Sequence, residues 1–258
     1  MTCHFTFWGI FMRLRRALPA LMLAVAVTAS AGCAAEPAPV SQKVQEYYDN
    51  NSSLRPSVTG TPTAATPTAA APAKFVVPTG RATRVLFTGD SLTGGFFATS
   101  KAKAFPALVQ EAVGEVEVTQ AAMAHQTLTT VSRVTDVPAD LDLAVVELGT
   151  NDVSVPTPIK DFETQYTELL GKIQKTSPKA AIVCVSTWAA GGQAYDDVIS
   201  KACQSVAGRY VSVADANKNP ANHGPAGVET EVGVSDTFHP NDAGHRAIAD
   251  SILKALGI

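Results

Sequence analysis

The chain has 258 residues, is 46% hydrophobic and 17% charged, and carries a formal net charge of −3 with four Cys. That apolar fraction excludes a wholly disordered chain, the small net charge argues against a nucleic-acid binder, and four Cys are too few for a disulfide-built miniprotein. Charge is unevenly placed: Arg13, Arg15 and Arg16 precede the first acidic residue, Glu36, and without them 17 basic residues face 23 acidic ones, a net −6.

Residues 1–33 read as a secretory signal. The order is basic Arg13-Leu14-Arg15-Arg16, an apolar run from Ala17 to about Val27, then small Ala29-Ser30-Ala31-Gly32-Cys33. Met12 makes a more typical start for such a leader than Met1. The apolar run is short for a membrane span of roughly 20 residues. Ser30-Ala31-Gly32-Cys33 resembles a bacterial lipobox, in which the Cys is lipidated and becomes the mature N-terminus; the alternative is cleavage near Ala31 or Ala35 and release. The expected location is therefore the cell envelope, with a lipid anchor on Cys33, or otherwise outside the cell.

Residues 34–80 change composition. Thr61-Pro62-Thr63-Ala64-Ala65-Thr66-Pro67-Thr68-Ala69-Ala70-Ala71-Pro72 has no apolar periodicity and cannot bury enough surface to offset its ordering entropy. It reads as a semi-stiff spacer between the membrane surface and a domain at 81–258.

The domain alternates strand and helix. Apolar runs at 84–88, 116–121, 141–148, 180–186 and 210–213 predict five strands. Helices are predicted at 104–113, 127–134, 159–176, 195–207 and 242–256. The clearest is 159–176, with Phe162, Tyr166, Leu169, Leu170 and Ile173 on one stripe. Such alternation implies a parallel sheet covered on both faces, with ligands bound beyond the carboxyl ends of the strands.

Polar residues follow those strand ends: Gly89-Asp90-Ser91-Leu92, Gly149-Thr150-Asn151-Asp152, and Asp236-Thr237-Phe238-His239-Pro240-Asn241 near the C-terminus. Each alone is compatible with a helix cap or Asx turn. Together they supply a hydroxyl, a base to take its proton, a carboxylate to orient that base, and an amide to meet a developing oxyanion.

These three blocks, in this order, resemble three of the four signature blocks of the GDSL, or SGNH, hydrolases, across residues 84–257. The resemblance implies a flavodoxin-like three-layer α/β/α sandwich with a five-stranded parallel sheet, and ester hydrolysis without cofactor or metal. By matching position, Ser91 would be nucleophile, His239 base and Asp236 its partner. Asn151 and the Ser91 backbone N–H would be oxyanion donors. The second block departs from the family: where a Gly usually donates a backbone N–H, this chain has Gln120-Ala121-Ala122-Met123-Ala124-His125, with Ala122 the first match and Ala124 the next. Short acyl or O-acetyl esters are the expected substrates, small or glycan-linked. The rival readings are an acyltransferase acting on envelope glycans and a non-catalytic envelope-binding domain. Of the remaining histidines, His245 reads as structural and His125 as able to face substrate, whereas His223 carries no signal. Trp188 reads equally as pocket wall or packing. Cys184 and Cys203, on adjacent elements of an exported domain, are a disulfide candidate.

Overall fold

The computed structural model describes Pro72 and residues 74–258, which belong to one compact unit of the chain. The leader, the Cys33 lipidation site and the Ala/Pro/Thr tract before Pro72 lie outside the described residues. Phe75, within the stretch read as spacer, is buried in the domain core.

Five strands form one parallel sheet: β1 (Thr83–Gly89), β2 (Val116–Ala122), β3 (Leu143–Glu147), β4 (Ala181–Val185) and β5 (Arg209–Val211), in the order β2-β1-β3-β4-β5. The helices are α1 (Phe105–Val113), α2 (Leu128–Val134), α3 (Thr150–Ser154), α4 (Ile159–Thr176), α5 (Gln193–Ser205), α6 (Ala214–Lys218) and α7 (Asp242–Leu256). A two-stranded antiparallel pair, β6 (Glu229–Thr230) and β7 (Gly233–Val234), lies apart from the main sheet.

The central strands β1, β3 and β4 are mostly apolar and buried because both faces are covered. Val85, Phe87, Val145 and Val183 point to one side, where they pack with Phe105, Val109, Ile248 and Ile252 of α1 and α7. Leu86, Ala144, Val146 and Ile182 point to the other and meet α2, α4 and α5 through Val131, Phe162, Tyr166, Leu170 and Ile199. This is the period-two alternation of a strand read into a three-layer sandwich. Burying each large aliphatic or aromatic side chain contributes on the order of 2 kcal/mol. Cys184 and Cys203 are joined as a disulfide between β4 and α5, with Cα atoms 6.1 Å apart.

Strand register brings the chemistry together. Gly89 at the end of β1 pairs with Ala122 of β2 on one side and Glu147 of β3 on the other. The loops leaving these three strands therefore emerge side by side. A Cβ at Gly89 would lie 2.0 Å from Thr93 Oγ1 and 2.5 Å from the Glu147 carbonyl oxygen, so only glycine fits there. Gly149, opening α3, has φ +120°, a conformation open to glycine at little cost.

Candidate active site

Ser91 lies in the turn after β1 and His239 in the loop before α7. Ser91 Oγ is 2.8 Å from His239 Nε2, and His239 Nδ1 is 2.8 Å from Asp236 Oδ2. Asp236 Oδ1 accepts the backbone N–H groups of Phe238 and His239, so its carboxylate orientation is fixed from its own loop. Partial burial works against ionisation of Asp236, but donation from the His239 backbone and ring, the attraction of His239 and the Phe238 N–H outweigh it and hold the carboxyl below its usual range. An ionised Asp236 requires the proton on His239 Nδ1. Nε2 is then the acceptor of the Ser91 hydroxyl, which is the tautomer a general base needs.

His239 is only 6% exposed. The Phe97 and Phe238 rings meet it edge-on at 5.0 and 5.2 Å, and Phe96 lies at 6.0 Å. Two anchors hold the surrounding loops. The Phe97 N–H donates to the Pro240 carbonyl. Buried His245 accepts the Phe105 N–H at Nδ1 and donates from Nε2 to the Phe96 carbonyl. Burial drives the His245 pKa down to about 4, so the ring is neutral at neutral pH. Asn241 caps α7 by accepting the Ala243 and Gly244 N–H groups, while its amide nitrogen donates to the carbonyls of Ala221, His223 and Gly224.

Asn151, in α3, sits beside Asp90. Its Nδ2 donates to Asp90 Oδ2 at 3.1 Å and to the Gln126 carbonyl at 3.1 Å. Asp90 Oδ1 accepts the Leu92 N–H. Asp90 is buried, and that burial raises its pKa to about 7 despite these donors. Glu147 is also buried and raised well above the carboxylate range, first by burial and then by the neighbouring Asp90 charge.

A cleft of about 650 Å³ opens between these loops, lined by His125, Asn151, Val153, His223, Phe238 and His239, with Ala189 and Ala190 at its wall. Ala122 does not line it. Ala122 is held inside β2 opposite Gly89, and the next N–H, of Met123, donates to the Gly89 carbonyl. The residue of this loop that reaches the cleft is His125, whose φ is +61°. Ala122, the first positional match to the family Gly, lies within β2, and the positive-φ backbone of this loop comes three residues later.

The structure also separates the remaining candidates. Trp188 is fully buried. Its backbone N–H donates to Thr150 Oγ1 and its indole N–H to the Phe238 carbonyl, so it braces the His239 loop from beneath rather than lining the cleft. His223 does line the cleft, against the Trp188 ring at 5.1 Å, with Nδ1 2.9 Å from the Phe238 carbonyl. Glu147 was the group sequence reasoning passed over. Its signal is a carboxylate at the end of an otherwise apolar strand, where no solvated face exists to receive it.

The chain is similar to known proteins in fold and family. No curated protein matches the chain. Among solved structures, 67 chains match. An acetyl-xylooligosaccharide esterase from Geobacillus stearmophilus aligns with TM-score 0.55 and 18% identity over 70% of this chain and 96% of its own. An extracellular lipase from Streptomyces rimosus aligns with TM-score 0.51 and 16% identity over 67% of this chain and 100% of its own. A salicylyl-acyltransferase from a tetracycline biosynthetic pathway aligns with TM-score 0.53 and 18% identity over 70% of this chain, which spans 55% of that protein. At these identities the likeness is one of fold. The profile of the GDSL-like lipase/acylhydrolase family matches residues 87–247, more than half of the chain and all of the strand-end loops described above. The chain therefore belongs to the GDSL-like lipase/acylhydrolase family of ester hydrolases.

Proposed function

We propose that this protein is a serine esterase in which Ser91, His239 and Asp236 act as a catalytic triad on short acyl or O-acetyl esters. The observation that carries the reading is the unbroken chain from Ser91 Oγ through both His239 nitrogens to Asp236, with both contacts at 2.8 Å. Ser91 Oγ attacks the ester carbonyl carbon and its proton passes to His239 Nε2. The tetrahedral intermediate collapses, the alkoxy C–O bond breaks, and His239 returns the proton to the departing alcohol. Water then repeats the sequence on the acyl-enzyme and regenerates the Ser91 hydroxyl.

The oxyanion is held by the Ser91 N–H, the Asn151 amide and the His125 backbone N–H. Both Nδ2 hydrogens of Asn151 already have acceptors, Asp90 and Gln126. The oxyanion takes over the hydrogen given to the Gln126 carbonyl, while Asp90 keeps the amide aimed. An interaction completed only as charge develops lowers the barrier rather than tightening ground-state binding. The polar part of the cleft lining, Ser154, Asn217, His223 and Thr237, suits a hydroxyl-rich leaving group. The basic, apolar and small-residue order of residues 13–33 supports export, with Cys33 as the lipid anchor.

Hydrolysis of p-nitrophenyl acetate, butyrate and octanoate by the purified domain tests the reading. Turnover that falls with chain length and vanishes in Ser91→Ala is expected. Equal turnover in that variant overturns the triad, and a preference for octanoate overturns the short-acyl assignment. A sugar hydroxyl replacing water makes the same residues an acyltransferase; the salicylyl-acyltransferase fold favours keeping that arm, read as transfer product when glycans are added.

A further inference from the structure

Beneath the nucleophile lie two buried carboxyls that the proposed triad does not use. Glu147 Oε2 accepts the Thr93 hydroxyl at 2.9 Å, but Glu147 Oε1 is buried with no hydrogen-bond donor. The Glu147 carboxyl is hydrogen-bonded to that of Asp90. Both oxygens of Asp90 are served, Oδ1 by the Leu92 N–H and Oδ2 by the Asn151 amide, whereas the donors to Glu147, the Thr93 hydroxyl and the backbone N–H groups of Asp90 and Thr93, leave Oε1 without a donor. A buried carboxylate oxygen with no donor carries a large desolvation cost, and two adjacent buried carboxyls cannot both ionise. One proton on Glu147 Oε1 removes both problems, because the orphan acceptor becomes a donor to Asp90.

The geometry points to Glu147 as a positioning residue: a neutral acid that donates its proton to the Asp90 carboxylate, so that Asp90 can hold the Asn151 amide in place for the oxyanion. This deepens the esterase reading and rests on Asn151 acting there. Order is transmitted through three contacts. Thr93, held in the turn by the nucleophile, fixes Glu147; Glu147 fixes Asp90; Asp90 fixes Asn151. Gln120 of β2 steadies the turn by donating to the Thr93 carbonyl. The other ionisable groups facing the pair are Asp152 of α3 and Tyr166 of α4, whose hydroxyl is pushed well above its usual range by burial and then by Glu147. The Asp152 charge disfavours a second negative charge, so the pair keeps one proton until the medium is alkaline. When that proton leaves, the two carboxylates repel and Asn151 loses its aim.

Three readouts test this. In the infrared difference spectrum of wild type minus Glu147→Gln at pH 7, a protonated-carboxyl C=O band is expected. Glu147→Leu, which removes the donor to Asp90, should lower kcat by about 100-fold with little change in KM. Glu147→Gln keeps a neutral donor toward Asp90 and an acceptor for Thr93, and should recover most of that loss. It should also lack the alkaline fall of kcat/KM that the inference expects of the wild type. The inference is overturned by absence of the carboxyl band, by a Glu147→Gln chain as impaired as Glu147→Leu, or by one that fails to fold. If Glu147→Leu does not fold, the band and the Gln variant's pH profile decide. If the wild type hydrolyses no ester, the band still reports the proton on Glu147, so failure of the esterase reading and failure of this inference are told apart.

Discussion

Ser91 and His239 are 148 residues apart in sequence, yet their Oγ and Nε2 atoms are 2.8 Å apart. The sheet makes the contact: the β1 turn presents the hydroxyl, and the loop before α7 returns across the same end of the strands. Phe97 and Phe238 close edge-on around the imidazole and keep it in place.

The first prediction concerns the other nitrogen of that ring. Asp236→Asn would place an amide opposite Nδ1 and favour the tautomer that carries its proton on Nε2, facing Ser91. It should lower kcat by about 1,000- to 10,000-fold with KM changed little. Steady-state kinetics alongside circular dichroism check this. Near-normal kcat in a folded variant would remove Asp236 from the mechanism.

His125→Gly should stabilise the protein by about 1 kcal/mol, because a non-glycine residue at φ +61° pays that order of strain. It should retain most of the activity, since the backbone N–H survives. Denaturant melts and kinetics of the purified variant decide. A large kcat loss would show that the imidazole, rather than the backbone, serves the reaction.

Stability should respond to pH through His245. Its folded pKa of about 4 lies below the ordinary His value of about 6.5, so the unfolded chain binds the extra proton across that window. The stability it contributes is complete above about pH 6.5 and is lost as pH falls towards 4, about 3 kcal/mol in all. The buried Asp90 and Glu147 carboxyls act with the opposite sign: raised by burial, the pair adds stability as pH falls. The comparison must therefore be made against a variant. The stability difference between wild type and His245→Gln should shrink on acidification from pH 7 to 4.5; a constant difference would contradict it.

The Cys184–Cys203 bridge closes a loop with a sequence separation of 19. Replacing both by Ala should cost about 3 kcal/mol of stability in the chain-entropy account and leave kcat nearly unchanged, because the bridge ties β4 to α5 away from Ser91. Chemical denaturation measures the first and ester turnover the second.

The strands, the main helices and the three strand-end blocks were legible in sequence because each depends on local pattern: apolar runs bounded by Gly, and a helical stripe such as Phe162 to Ile173. The short α3 and α6 and the β6–β7 pair were not, since elements of two to five residues leave no periodicity to read. That the positive-φ backbone of the loop after β2 falls at His125 was hidden for another reason. Spacing within a loop depends on where the strand stops, and β2 runs to Ala122 only because its register with Gly89 keeps it paired. Glu147 and Trp188 act through buried partners distant in sequence, Asp90 and Phe238, which only the fold brings near.

The most direct test of the central claim is covalent labelling with a fluorophosphonate, followed by peptide mapping by mass spectrometry. The account predicts stoichiometric modification at Ser91, abolished in Ser91→Ala and slowed strongly in His239→Ala. A folded wild-type chain that remains unlabelled, or one labelled at another residue, would contradict it.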